Sequence, residues 1–158
     1  MRTKLKELGS EQRYRYTGKF VKYGFRYSDW GKIHAKPTMI LKDIKLLDEN
    51  GVEIAVADYL WLNLTVGFKK LGILIEDEIV SFNGRVATYQ KGYYLHGKKV
   101  DYKLERPSKV VLTKSLIDDL QRKVWPELNW QVCNDIYDMY AEDYLKRGIA
   151  KPYPKMFN

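Results

Sequence analysis

Residues 52–90 read VEIAVADYLWLNLTVGFKKLGILIEDEIVSFNGRVATYQ, and the fold turns on the order of elements within them. Residues 52–62 are dense in β-branched and aromatic side chains, which predicts a strand. Val66 to Leu71, closed by Gly72, predicts a short helix with a glycine C-cap. Glu76–Asp77 then predicts a turn, and residues 78–90 a further long strand that Gly84 allows to bend.

On the N-terminal side, DENG at 48–51 predicts a tight hairpin, because Asn50-Gly51 is a pair that supplies positive φ angles. That makes residues 38–47, after Pro37, a strand antiparallel to 52–62. Residues 15–27, RYTGKFVKYGFRY, predict a long first strand with bends at Gly18 and Gly24, followed by a loop over 28–36. On the C-terminal side, the loop KGYYLHGKK at 91–99 leads to a fifth strand over 100–112. Pro107 confines the second half of that strand to an edge or a bulge. From Thr113 or Ser115 to Lys123 the pattern predicts one helix, and from Pro126 to Gly148 a second. Trp130, Cys133, Tyr137, Tyr140 and Tyr144 form an aromatic stripe along that second helix, more often a packing face than a ligand site. The tail KPYPKMFN is expected to be extended.

Five strands with one short helix between the third and fourth is the order of an OB-fold, a five-stranded, partly open Greek-key barrel. The expected fold is therefore mostly β with a helical tail. Residues 1–112 form an OB-fold-like barrel, and residues 113–158 a C-terminal extension of two helices packed on it. An SH3-like barrel with added helices, or an α+β sandwich, is the competing architecture.

Composition narrows the function. A chain of 158 residues, 45% hydrophobic and 30% charged, has the make-up of a globular domain rather than a disordered one. The single cysteine, Cys133, excludes an internal disulfide, and no stretch has the run of apolar residues that a membrane span needs. A cytoplasmic protein with no membrane contact is expected. The net charge of +8 is unevenly spread. Residues 1–47 hold 12 Lys/Arg against 4 Asp/Glu, and residues 85–114 hold 8 against 2. Between them, residues 48–84 hold 2 against 7. If the fold joins the two basic blocks, they make a positive face of the kind that attracts phosphate backbones.

One group of residues has a wider echo. Asp58, Trp61, Asn63, Thr65 and Phe68 fit D-H-L/V-W-x-N-x-T-x-x-F. Phe82, Arg85, Val86, Tyr89, Lys91, Gly92 and Tyr93 fit G-D-x-I/V-x-F-x-A-R-V-x-x-Y-x-K-G-Y, and Tyr102, Lys103, Leu104, Arg106 and Pro107 fit Y-K-L-x-R-P. Through these motifs, roughly over residues 16–110, the chain resembles a group of small proteins found on phages and mobile elements of Gram-positive bacteria. Tyr59 replaces the His of that pattern, Glu76 a Gly and Gly84 an Ala. The resemblance implies an OB-like fold and carries over no catalytic residue.

OB-folds meet their ligands on strands 2–3 and on the loops joining strands 1–2 and 4–5. Here both loops interleave aromatic and basic residues, the combination that stacks bases and neutralises phosphates. The first offers Tyr27, Trp30, Lys32 and Lys36, and the second Tyr89, Lys91, Tyr93, Tyr94, Lys98 and Lys99, with Arg85 nearby on a strand. Lys19, Arg26, Lys42, Lys103 and Arg106 could extend the track, although strand charges are more often just a solvated face. Tyr59 and Trp61 share one face of their strand and Leu60 and Leu62 the other. Trp61 is expected in the core.

Catalysis has little support. His34 and His96 are the only histidines, and Asp43, Asp58 and Arg85 suggest a metal-dependent nuclease only faintly. No phosphate loop, nucleophile elbow or C-x-x-C is present. The expectation is a non-catalytic binder of single-stranded DNA or RNA that needs no cofactor. The alternative is a protein-binding module, a host-protein inhibitor or adaptor encoded by a mobile element. That module would meet its partner, or another copy of itself, through the aromatic helix.

Overall fold

A computed structural model of the protein describes residues 3–27, 31, 34–91 and 99–154. Five antiparallel strands, β1 (Arg13–Tyr27), β2 (Ala35–Leu47), β3 (Glu53–Asn63), β4 (Ile79–Lys91) and β5 (Lys99–Lys114), form one sheet in the order β3-β2-β1-β4-β5. The helices are short: α1 (Thr3–Leu8), α2 (Val66–Lys69), α3 (Asn129–Met139) and α4 (Ala141–Lys146). The chain is therefore mostly β, but the sheet is not a closed barrel. Its edges, β3 and β5, approach each other without forming a ladder, and α1 lies against both with Leu5 fully buried.

Alternation explains which way the strands face. Tyr16 and Phe20 of β1, Met39 and Leu41 of β2, Leu60 and Leu62 of β3, and Val80 and Phe82 of β4 all turn into one core. Phe68 of α2 reaches the same core and sets its ring edge-on to Phe82, centroids 5.5 Å apart. The β2–β3 hairpin forms where expected, with a different turn. Only Gly51 has a positive φ, +77°, while the Asp48 carboxylate accepts hydrogen bonds from the Asn50 and Val52 amides. A glycine in the left-handed region after a longer loop replaces the two-residue Asn-Gly turn.

The C-terminal region departs most from expectation. Residues 115–123 contain only a 3-10 turn, Asp119–Gln121, in place of a helix, and the long second helix is broken into α3 and α4 at Tyr140. These two helices cover a bare edge. β1 pairs with β4 only from Arg13 to Lys19, so its last eight residues lack that neighbour. Asp77 N and Phe20 N donate to Phe20 O and Glu78 O just beyond the ladder. Further on, the Tyr140 hydroxyl accepts from Tyr23 N at 3.1 Å. Cys133 and Ile136 are fully buried and Tyr137 and Tyr144 nearly so, their two rings stacked 5.1 Å apart. The aromatic stripe thus faces the chain's own sheet. Burial pushes the Cys133 thiol up to about 12, so it stays protonated.

The path to α3 is set by a buried ion pair. Glu78 is fully buried, and both its oxygens accept from the Arg122 guanidinium, one of them at 2.7 Å. The same oxygens accept from Ile75 N at 2.8 Å and Leu116 N at 2.9 Å, while Arg122 also donates to Ile73 O and Ser115 Oγ. Gly72, at φ +83°, makes room: a Cβ there would sit 2.8 Å from the Arg122 side chain. Burial works to raise the Glu78 carboxyl, but the Arg122 and amide hydrogen bonds outweigh it and hold it below the usual carboxylate range.

A depressed native pKa means that this group stabilises the fold fully above about pH 5 and loses that contribution as pH falls through the lowered native value. Glu78→Gln should cost about 3–5 kcal/mol at neutral pH, because it leaves Arg122 buried without its counter-charge. It should also flatten the acid limb of the stability profile. Urea melts of parent and variant between about pH 3 and 7 check both effects.

Candidate nucleic-acid interface

Residues paired across an antiparallel ladder project on the same face of the sheet. Lys22 of β1 sits opposite Ile40 of β2, which sits opposite Trp61 of β3. Two residues along, Gly24, Thr38 and Asn63 form the next row, and Arg26 lies opposite Lys36. This outer face of β1, β2 and β3 forms the floor of a groove. Tyr144, Arg147 and Ile149 wall one part of it, a hollow of about 470 Å3 that also exposes Lys22, Arg26 and Trp61. A second hollow of about 150 Å3 adjoins it, sharing Arg26 and Trp61 and adding Asn63, Tyr89 and Lys103. The curled β4–β5 hairpin brings those last two residues over to β3.

The chemistry of the groove is one-sided. Lys22, Arg26, Lys103 and Arg147 line it, and neither hollow has a carboxylate in its lining among the described residues. Arg26 Nε donates to Asn63 Oδ1 at 3.2 Å, and its guanidinium lies 5.5 Å from the centre of the Trp61 ring, within cation–π range. Trp61 is nevertheless 46% exposed, and Tyr59 is 59% exposed. Two carboxylates outside the lining bind residues within it: Asp143 pairs with Arg147 at 3.1 Å, and Asp101 accepts from the Tyr89 hydroxyl at 3.2 Å.

The predicted site residues divide into three groups. Tyr27 ends β1 with its ring edge-on to Phe25, Lys36 is exposed opposite Arg26, and Tyr89 lines the smaller hollow. Arg85 is elsewhere, paired with Glu105 at 2.8 Å on the β4–β5 ladder and absent from the groove lining. Lys91 and Lys99 pair with each other in backbone register. Their side chains, with Trp30, Lys32, Tyr93, Tyr94 and Lys98, lie outside the described residues. Of the strand charges, Lys103 enters the groove, whereas Lys42 is bound by Asp77 at 3.0 Å and Lys19 by Asp43 at 4.0 Å. The Asp77 hydrogen bond and charge raise the Lys42 pKa.

Trp61 is the main correction. Its size argues for the core, but Leu60, Leu62 and Leu64 are the buried set and turn Tyr59, Trp61 and Asn63 outward. The sequence carries that signal, since Asn63 shares the parity of Trp61 and a third leucine shares that of Leu60 and Leu62. Lys22 and Arg147 have no comparable signal. Of the nuclease residues, Asp43 faces Lys19 and Arg85 is tied to Glu105. Among the described residues no group of three or more His, Cys, Asp or Glu is arranged to hold a metal ion. No helix among them is long and apolar enough to cross a membrane.

No family model matches the chain, and no curated protein matches it in sequence. The mobile-element grouping suggested by the motif residues therefore gains no support from them. Among solved structures, the chain is similar to a small single-stranded DNA-binding protein from Streptomyces coelicolor. The two share 13% identity at a TM-score of 0.39, over 67% of this chain and 95% of that one.

The face assignment can be checked by stability alone. Trp61→Ala should cost no more than about 1 kcal/mol, the scale of an exposed cation–π contact. Leu62→Ala, one residue along and buried, should cost about 2–5 kcal/mol. Denaturant melts giving the reverse order would put Trp61 back in the core.

Proposed function

We propose that the groove binds single-stranded nucleic acid, DNA or RNA, and does no chemistry on it. The observation that carries this reading is the lining: four cations from three parts of the chain, an exposed tryptophan between them, and no carboxylate among the described residues. Such a lining suits a strand whose phosphates need counter-charges and whose bases need flat partners. We read the sheet as an OB-type barrel left open between β3 and β5. In that fold ligands cross the outer face of strands 2–3, between the loops joining strands 1–2 and 4–5. The corresponding face here holds Ile40, Trp61 and Asn63. Tyr27 and Lys36 border the first connection, and Lys91 and Lys99 the second. Trp30, Lys32, Tyr93, Tyr94 and Lys98 would extend the track on those loops.

A second reading, a protein-binding module, is favoured by a different surface. Leu120 is fully exposed and Val124 largely so, and Val66, more than half exposed, shares a shallow hollow with Val124. The aromatic stripe of the C-terminal helices is not that surface, because it packs on β1 and β2.

Fluorescence anisotropy with labelled single-stranded oligonucleotides of about 12 residues tests the first reading. Affinity should fall steeply between about 50 and 200 mM salt. Trp61→Ala should weaken binding by about 1–3 kcal/mol and leave the salt slope unchanged, since it removes a stack and no charge. Lys22→Ala combined with Lys103→Ala should instead flatten the slope, by about one counterion for each phosphate that no longer meets a lysine. A parent protein that binds no oligonucleotide at low salt would sink this reading and favour the second.

A further inference from the structure

The four groove cations differ in what holds them. Among the described residues Lys22 and Lys103 make no ion pair, and Arg26 is met by the Asn63 amide oxygen and the Trp61 ring, both uncharged. Arg147 alone of the four pairs with a carboxylate, donating from Nη1 to Asp143 Oδ2 at 3.1 Å. Asp143 stands one turn earlier on α4 and lines a different hollow, beside Asp138 and Glu142. Arg147 therefore sits on the border between the cationic groove and an acidic shoulder. Its guanidinium carbon also lies 5.8 Å from the centre of the Tyr144 ring. Tyr144 is only 8% exposed, against 46% for Trp61, so this wall offers the groove a charge but no open ring for a base.

We propose that Asp143 attenuates strand binding by sharing Arg147 with the phosphate that meets this wall. The proposal rests on the nucleic-acid reading above and adds to it a residue that limits affinity. One guanidinium has N–H groups enough for two anions but only one positive charge. A phosphate gains less from an Arg147 that a carboxylate already neutralises, whether that carboxylate stays or is displaced. Either is open to it: both side chains are more than half exposed, and an exposed i,i+4 pair is weak enough for a phosphate to compete with. The α4 wall thus holds a strand loosely, whereas Arg26, with no acid against it, lends its full charge.

The test is a set of four substitutions, read by anisotropy with an oligonucleotide of about 12 residues. Salt is kept at about 0.1 M, where a single charge acts over roughly 10 Å. Asp143→Asn keeps the side-chain shape and should bind about 3- to 5-fold more tightly than the parent. A gain of this kind cannot come from unfolding. Asp143→Glu restores the charge and should return affinity to within about 2-fold of the parent. Glu142→Gln removes the same charge from the neighbouring residue, which makes no ion pair among the described residues, and should also stay within about 2-fold. Arg147→Ala should cost the parent about 2-fold but the Asp143→Asn protein about 5-fold or more, since only there does Arg147 act with its full charge. Unchanged or weaker binding by Asp143→Asn overturns the proposal and leaves Asp143 as a prop for Arg147. An equal gain from Glu142→Gln also overturns it, because the effect is then the general field of the shoulder. Equal losses on removing Arg147 from the two backgrounds do the same. Binding by none of these proteins at low salt overturns instead the nucleic-acid reading, and the proposal with it.

Discussion

Glu78 ties together three segments just beyond the end of the β4–β5 ladder. Its carboxylate receives the amide of Ile75 just before β4, the amide of Leu116 just after β5, and the Arg122 guanidinium from the following stretch. Arg122 in turn reaches Ile73 O, and Ile73 N donates to Lys123 O at 2.8 Å. Two charges buried together in this way gain little over a well-packed apolar contact, but removing either is costly, so the pair works chiefly as a geometric constraint. What it constrains is the route of the chain after the sheet. Residues 115–125 are held against residues 72–78, and Trp125 is delivered edge-on to Tyr23, ring centres 4.8 Å apart. Tyr23 then takes Leu74 N on its hydroxyl and gives its own amide to Tyr140. From there α3 and α4 seal the unpaired end of β1 and bring Tyr144 and Arg147 to the groove wall. One wall of the candidate site therefore depends on an ion pair outside it.

The opposite wall depends on bulges. Arg106 and Lys109 flank the Pro107-Ser108 pair with positive φ values of 53° and 49°, and the β4–β5 register slips beside them. Such residues leave carbonyls without ladder partners. Two arginines of β1 reach across β4 to take them: Arg13 donates to Arg106 O at 2.5 Å, and Arg15 to Lys109 O at 2.6 Å. Ser81, Asn83 and Ser108 side chains accept further hydrogen bonds from the same arginines. With the bulges satisfied, β4 and β5 can bend sharply, and the end of their hairpin brings Tyr89 and Lys103 near Trp61 of β3.

How far the sequence reveals this can be judged from single elements. The five strands, the β2–β3 hairpin and the short helix after β3 are legible, because period-two alternation and turn residues are local signals. Pro107 is legible as a bulge for the same reason. The helix expected over 113–123 is absent, although SLIDDLQRK has helical propensity. Leu116 N is committed to Glu78 and Lys123 O to Ile73 N, and these tertiary bonds draw the backbone out of helical form. The split at Tyr140 has a similar origin, since its hydroxyl is fixed to β1. Trp61 misleads because its size favours burial, whereas the parity of three leucines is the quieter and better signal. Arg147 cannot be found at all without knowing where α4 docks.

Charge needs the same distinction between what a sequence contains and what a fold leaves available. The chain carries 28 Lys and Arg, yet many are engaged in structure. Arg13 and Arg15 satisfy bulges, Arg122 and Arg85 are bound by Glu78 and Glu105, and Lys42, Lys45 and Lys151 each hold a carboxylate. Lys22, Lys36 and Lys103 make no ion pair among the described residues, and Arg26 is matched only by an amide and an indole ring. Three of these four come from the first basic block and one from the second; the sheet order brings Lys22, Arg26 and Lys103 around a single tryptophan, with Lys36 opposite Arg26. Because β1 stands between β2 and β4, the two blocks meet, while the acidic stretch between them contributes β3 through Trp61 and Asn63 and sends Glu78 into the interior. The positive face is thus made as much by where the carboxylates are hidden as by where the lysines are shown.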